Sequence, residues 1–169
     1  MAKPPFDLWV MATVIAGVAI AAAIDLRTRR VPNPLTLLLA AAGVGFAVFG
    51  VGGLTVGASL LGLALGLMLM LPGHLLGATG AGDVKLFAAL GALVGPAHIA
   101  TAFVYTAIAG GVIAVTVALQ RRRLRRTIER TAQLVVSADA TAIESPLENN
   151  RFAYAPAIAV GAMLVALGF

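Results

Sequence analysis

The chain contains no cysteine. Disulfides and thiolate-bound metals are therefore excluded, and cysteine usage is silent on the redox compartment. Charge is almost as scarce. Only 11% of residues are Asp, Glu, Lys or Arg, where a soluble domain carries roughly a quarter. Histidine occurs only at His74 and His98, too far apart for an H-E-x-x-H metallopeptidase motif. Ser59, in GASLLG, has no convincing base to make it a nucleophile and reads as a helix-packing serine.

What fills the chain instead is apolar. Hydrophobic residues make up 60%, and the mean hydropathy is +0.99. Long uncharged runs separate the few charges, which indicates an integral membrane protein built of helices. The runs are continuous rather than alternating, which argues against a β-barrel. Nineteen glycines fit close helix packing in lipid, with small-xxx-small spacing at Gly62/Gly66 and Gly91/Gly95.

Six apolar runs can be placed: 8–24, 35–51, 54–76, 84–94, 99–119 and 154–169. The sequence thus predicts an all-α polytopic protein with six transmembrane helices. Pro32-Asn33-Pro34 starts the second run, Gly52-Gly53 ends it, and Gly95-Pro96 marks a turn after the fourth. Arg27, Arg29, Arg30, Lys85, Arg151 and six arginines between 121 and 130 then fall on one side, and only Lys3 on the other. By the positive-inside rule both termini are extracytoplasmic. The net charge of +5 follows from this topology rather than from nucleic-acid binding. A signal peptide cleaved after Ala21-Ala22-Ala23 is the alternative for the first run. The three arginines that follow the run favour the opposite orientation. The chain reads as one membrane-embedded domain, 1–169, with a basic cytoplasmic loop at 121–150. Residues 121–136 are expected to form an amphipathic helix or a solvated topogenic loop at the inner surface.

Two aspartates stand out. Asp25 closes the first run, in AAAIDLRTRRVPN, and Asp83 opens the fourth, in GATGAGDVKLF. The topology carries both to the inner face. Each has a bland reading: Asp83 as a helix N-cap, Asp25 as a surface ion pair with Arg27 or Arg29. However, an anion at a helix C-terminus is disfavoured by the macrodipole, and ionisable groups at a membrane edge are functional candidates. From Asp83 to Pro96 the run covers only about 21 Å of helix against a hydrocarbon core of about 30 Å, so Asp83 is expected slightly below the surface. Two neighbouring carboxylates share a proton and suit aspartic proteolysis, one activating water and the other polarising the scissile carbonyl. That chemistry needs no metal or cofactor. Gly77, Gly80 and Gly82 leave the backbone before Asp83 open to a substrate peptide. Lys85 balances charge, contacts substrate or snorkels to the interface.

DLRTRRVPN resembles the D-x-R-x-x-x-[IV]-P-N motif of type IV prepilin peptidases, and GAGDVK resembles their G-x-G-D-x-K motif. FAYAPAIAVG looks like their C-terminal aromatic-Ala-Pro segment. The resemblance implies Asp25 and Asp83 as a catalytic dyad, with Arg27, Pro32, Asn33, Gly80, Gly82 and Lys85 supporting the motifs or binding substrate. It implies cleavage of the basic leader from prepilins or pseudopilins at the cytoplasmic face of the inner membrane. Bifunctional members carry a cysteine-containing insert and also N-methylate the new terminus. This chain has no cysteine and no such insert, resembles the short peptidases of tight-adherence (Flp) pili, and is expected to act as a peptidase only. Its basic loops would repel a basic leader, so Glu129, Asp139, Glu144 and Glu148 are candidates for attracting it. The competing class is a small transporter or scaffold that uses the acids for ions or structure. A transporter would place them nearer the bilayer midplane.

Overall fold

The computed structural model describes residues 6–120 and 154–168. The basic loop, Arg151 and the four loop acids lie outside them. The described residues form helices α1 (Leu8–Thr28), α2 (Asn33–Val48), α3 (Val56–Leu75), α4 (Ala81–Gln120) and α5 (Ala155–Ala166), with a 3₁₀ turn at Val51–Gly53.

Local chemistry sets the boundaries. Pro32 caps α2 and Pro34 occupies its first turn, where a missing N–H costs nothing. The Thr55 hydroxyl caps α3 by accepting the Ala58 N–H. Inside α4, Gly95 has φ 81° and ψ 174°, a conformation that favours glycine, and Pro96 follows it. The chain folds back there. Phe87 and Phe103 would stand about 24 Å apart along an unbroken helix, yet their rings meet edge-on with centroids 6.1 Å apart. The expected turn after the fourth run is therefore present, as a kink rather than a loop.

The first limb of α4 forms the centre of the bundle. Every residue from Leu86 to Gly95 is buried, as expected of a helix enclosed on all sides. Its neighbours approach through glycine. A Cβ on Gly62 or Gly66 of α3 would strike the α4 backbone at Gly91 or at Phe87 and Ala88. One on Gly43 of α2 would strike Ala92 and Leu93. The Ser59 hydroxyl, also buried, donates to the Ala92 carbonyl at 2.8 Å. The second limb packs on α5, where Gly161 lies against Ala102 and Thr106.

The long-range contacts define two ends. At one, the Asp7 carboxylate accepts the Gly52 N–H at 2.7 Å, Phe6 meets the His98 ring, and Leu54 closes over Gly95. At the other lie Asp25, the 29–33 connection, the 77–82 segment and the head of α5. All the described lysines and arginines belong to this second end. The outer surface is strongly apolar, with Trp9, Leu37, Leu61, Met68, Ile108 and Val112 exposed. Bilayer contact explains a surface that water would not tolerate.

The expectation of six spans needs correction. Three helical stretches, Leu8–Thr28, Val56–Leu75 and Ala81–Thr116, are long and apolar enough to cross a membrane. Asn33–Val48 and Ala155–Ala166 are apolar but shorter. The fourth and fifth expected runs meet directly at Gly95-Pro96, where two helices join at a kink and fold back without an intervening loop.

Lipid supplies no hydrophobic force between helices, so this bundle depends on close packing. Gly91→Ala is expected to cost about 1–3 kcal/mol through overpacking and to lower the melting temperature in detergent by several degrees. Gly45→Ala and Gly57→Ala, where a Cβ meets open space, should leave it unchanged. An unchanged melting temperature for Gly91→Ala would contradict the packing account.

Candidate active site

Asp25 lies in the last turn of α1, because that helix runs four residues beyond the apolar run. The chain then turns at Arg29, which takes a left-handed conformation (φ 52°) and donates its backbone N–H to the Asp25 carbonyl at 2.7 Å. The Asp25 side chain points inward and is only 4% exposed. Its Oδ2 accepts the Ala155 N–H at 3.3 Å. That donor belongs to the first turn of α5, where N–H groups have no intrahelical acceptor. The Arg29 charge also acts on Asp25.

Asp83 is 6% exposed. It is not the N-cap that its position before the fourth run allows. The helix begins at Ala81, so Asp83 falls in its first turn, and its Oδ2 reaches back to accept the Gly80 N–H at 3.1 Å. This is the return half of a capping box. Its Oδ1 is buried and has no hydrogen-bond partner among the described residues. The charge on Asp25 is felt at Asp83. Two carboxylates remote in the chain thus converge at one end of the bundle, just beneath the surface.

An exposed polar rim surrounds them. Arg27 is exposed in the last turn of α1. Pro32 caps α2, and Asn33 opens it. The exposed Lys85 Nζ donates to Asn33 Oδ1 at 3.0 Å, tying the start of α4 to the start of α2. Lys85 lies two residues beyond Asp83, on another side of the helix. Gly80 leaves room for the Asp83 carboxylate, since a Cβ there would lie 3.1 Å from Oδ2. Gly82 allows α4 to approach the connection after α1: a Cβ would lie 3.1 Å from both Cβ and O of Val31. Gly77, at φ 72°, turns the chain after α3.

The structure adds the head of α5. Tyr154 packs its ring against Gly110, and its phenol feels the Asp83 charge. A phenol is neutral near pH 7, so the hydroxyl is available as a donor. The aromatic-Ala-Pro segment pointed to this region but did not single out the Ala155 N–H or the Tyr154 hydroxyl. The histidines stay apart: His74 Nδ1 bonds the Thr79 carbonyl near the carboxylates, and His98 sits with Phe6 at the opposite end.

The fold and site define a helical, membrane-type protein with two buried carboxylates at one end. Residues 12–115 match the type IV leader peptidase family, and the chain belongs to that family, a family of proteases. No curated protein and no solved structure matches the chain.

A modest displacement of a catalytic group can cost on the order of a hundredfold in rate. Gly82→Val, which pushes the start of α4 away from Val31, is expected to lower leader-peptidase activity at least about tenfold while the bundle remains folded. Wild-type activity in this variant would show that the close approach at Val31 is not needed.

Proposed function

We propose that this chain is a membrane aspartic endopeptidase that removes the basic leader from Flp-type prepilins or pseudopilins, with Asp25 and Asp83 as its dyad. One observation carries the reading: two buried carboxylates remote in the sequence lie at the same end of the bundle, Asp25 held by the Ala155 N–H and Asp83 by the Gly80 N–H. Family membership supports the leader-peptidase reaction. The motif context supports the residue assignment. The placement of all the described basic residues at the carboxylate end supports a cytoplasmic site in the inner membrane.

The chemistry follows from electrostatics. Two adjacent carboxylates resist double ionisation and hold one proton between them. The ionised member takes a proton from water as the water oxygen bonds to the scissile carbonyl carbon. The protonated member gives its proton to the carbonyl oxygen. Collapse of the resulting diol breaks the C–N bond; the departing amine takes a proton from one carboxyl of the dyad while a diol hydroxyl gives its proton to the other carboxylate as the new carboxyl group forms. One water is consumed and the shared proton is restored. The titration belongs to the pair. Among the rim groups, Lys85, Asn33 and Arg27 hold the edge through which an extended leader reaches the carboxylates. The substrate's apolar helix lies in the bilayer beside the bundle. The whole chain acts as one peptidase domain, and it does not methylate the new N-terminus.

Co-expression with a prepilin tests this reading. Asp25→Asn and Asp83→Asn should each lower conversion of precursor to mature pilin by at least about a hundredfold, the scale of a lost acid or base, while accumulating normally in the membrane. Chelators should leave the wild type active, and mass spectrometry should find an unmethylated mature terminus. Normal processing by either variant would reject the dyad. A methylated product made by this chain alone would reject the single-activity reading.

A further inference from the structure

We infer that Tyr154 is a positioning residue of this site, its hydroxyl holding the second oxygen of Asp83 through one bridging water, from the head of α5. The inference rests on the peptidase reading above and deepens it. Four observations lead to it. First, the two carboxylates are unequally held. Asp25 Oδ2 has the Ala155 N–H and Asp83 Oδ2 has the Gly80 N–H, but Asp83 Oδ1 is buried without a partner. Buried polar oxygens normally have one, and an orphan marks a place where a donor belongs. Second, Tyr154 is bonded in sequence to the residue whose N–H fixes Asp25, so the head of α5 lies at the carboxylates. Third, the phenol is close enough to feel the Asp83 charge. Fourth, the ring occupies a prepared seat. Gly110, in the second limb of α4, has no Cβ; one there would lie 2.9 Å from the ring and 3.0 Å from the phenol oxygen. By contrast, a Cβ on the adjacent Gly111 meets open space.

A phenol is suited to this task. It supplies one O–H donor and remains neutral, so it orders the carboxylate without adding a charge to a buried site. By fixing Asp83, it sets the direction in which that group faces the scissile carbonyl or the attacking water.

The test uses the full-length protein in proteoliposomes with purified prepilin. Tyr154→Phe keeps the ring against Gly110 and removes only the hydroxyl. It should lower kcat at least about tenfold, as expected for a lost hydrogen bond to a charged group, with KM and melting temperature close to wild type. Gly110→Ala, which crowds the ring, should lower kcat in the same direction, and Gly111→Ala should not. Wild-type kcat for Tyr154→Phe would overturn the inference. So would a fall in kcat matched by loss of the folded protein in both Tyr154→Phe and Gly110→Ala. Asp25→Asn and Asp83→Asn in the same assay separate the two claims. If either is active, the peptidase reading itself fails. If both are inactive while Tyr154→Phe is normal, only the role of Tyr154 fails.

Discussion

A helix enclosed on every side can be held tightly only if its neighbours come close. The first limb of α4 is such a helix, and the rest of the structure depends on the access its neighbours have to it. Gly62 and Gly66 of α3 and Gly43 of α2 bring backbone against backbone. In lipid this closeness must replace the hydrophobic force that would drive packing in water. Gly95 then returns the chain along the outside, so that the second limb and α5 cover what α2 and α3 leave open. One result is that the first turn of α4, with Asp83, has a fixed height and orientation.

The site forms where three helix ends meet. Asp25 ends α1, Asp83 begins α4, and Ala155 begins α5. The arrangement resolves an electrostatic difficulty. A carboxylate near a helix C-terminus faces the negative end of the dipole, and Asp25 is in that position. The structure sets the N-terminal end of α5 against it, so that an N–H from one helix compensates the unfavourable end of another. Asp83 has the favourable end of its own helix and the Gly80 N–H. Both acids are thus held below a rim that includes Asn33 and Lys85, while the connections on that rim remain at the surface.

Much of this was legible because it depends on local rules. The aspartates lie at the boundaries of apolar runs, the arginines fix which ends belong together, and Gly95-Pro96 announces a turn. Other features depend on pairings that hydropathy cannot express. An apolar helix facing lipid and one enclosed by protein have the same composition, so nothing in residues 86–94 revealed that this limb is central. The end of α1 was set four residues too early, since Asp25-Leu26-Arg27-Thr28 is polar enough to resemble a loop yet continues the helix. Gly82 was read as an opening for substrate, whereas in the structure it is also a close contact with Val31. The Ala155 N–H was invisible because it is a backbone group, brought to Asp25 from 130 residues away. The count of six spans failed because run boundaries do not distinguish a kink from a loop or a short apolar helix from a spanning one.

The central claim is that Asp25 and Asp83 face one another across a single site. The absence of cysteine makes this directly measurable, since any thiol introduced is unique. The double variant Asp25→Cys/Asp83→Cys, in native membranes, should join internally under a mild oxidant or a short thiol-to-thiol reagent. The pair Asp25→Cys/His98→Cys, whose members lie at opposite ends, should not. Efficient closure of the first pair alone is the expected result. Failure of that pair to close with any short reagent, with both thiols shown to be reactive, would contradict the account.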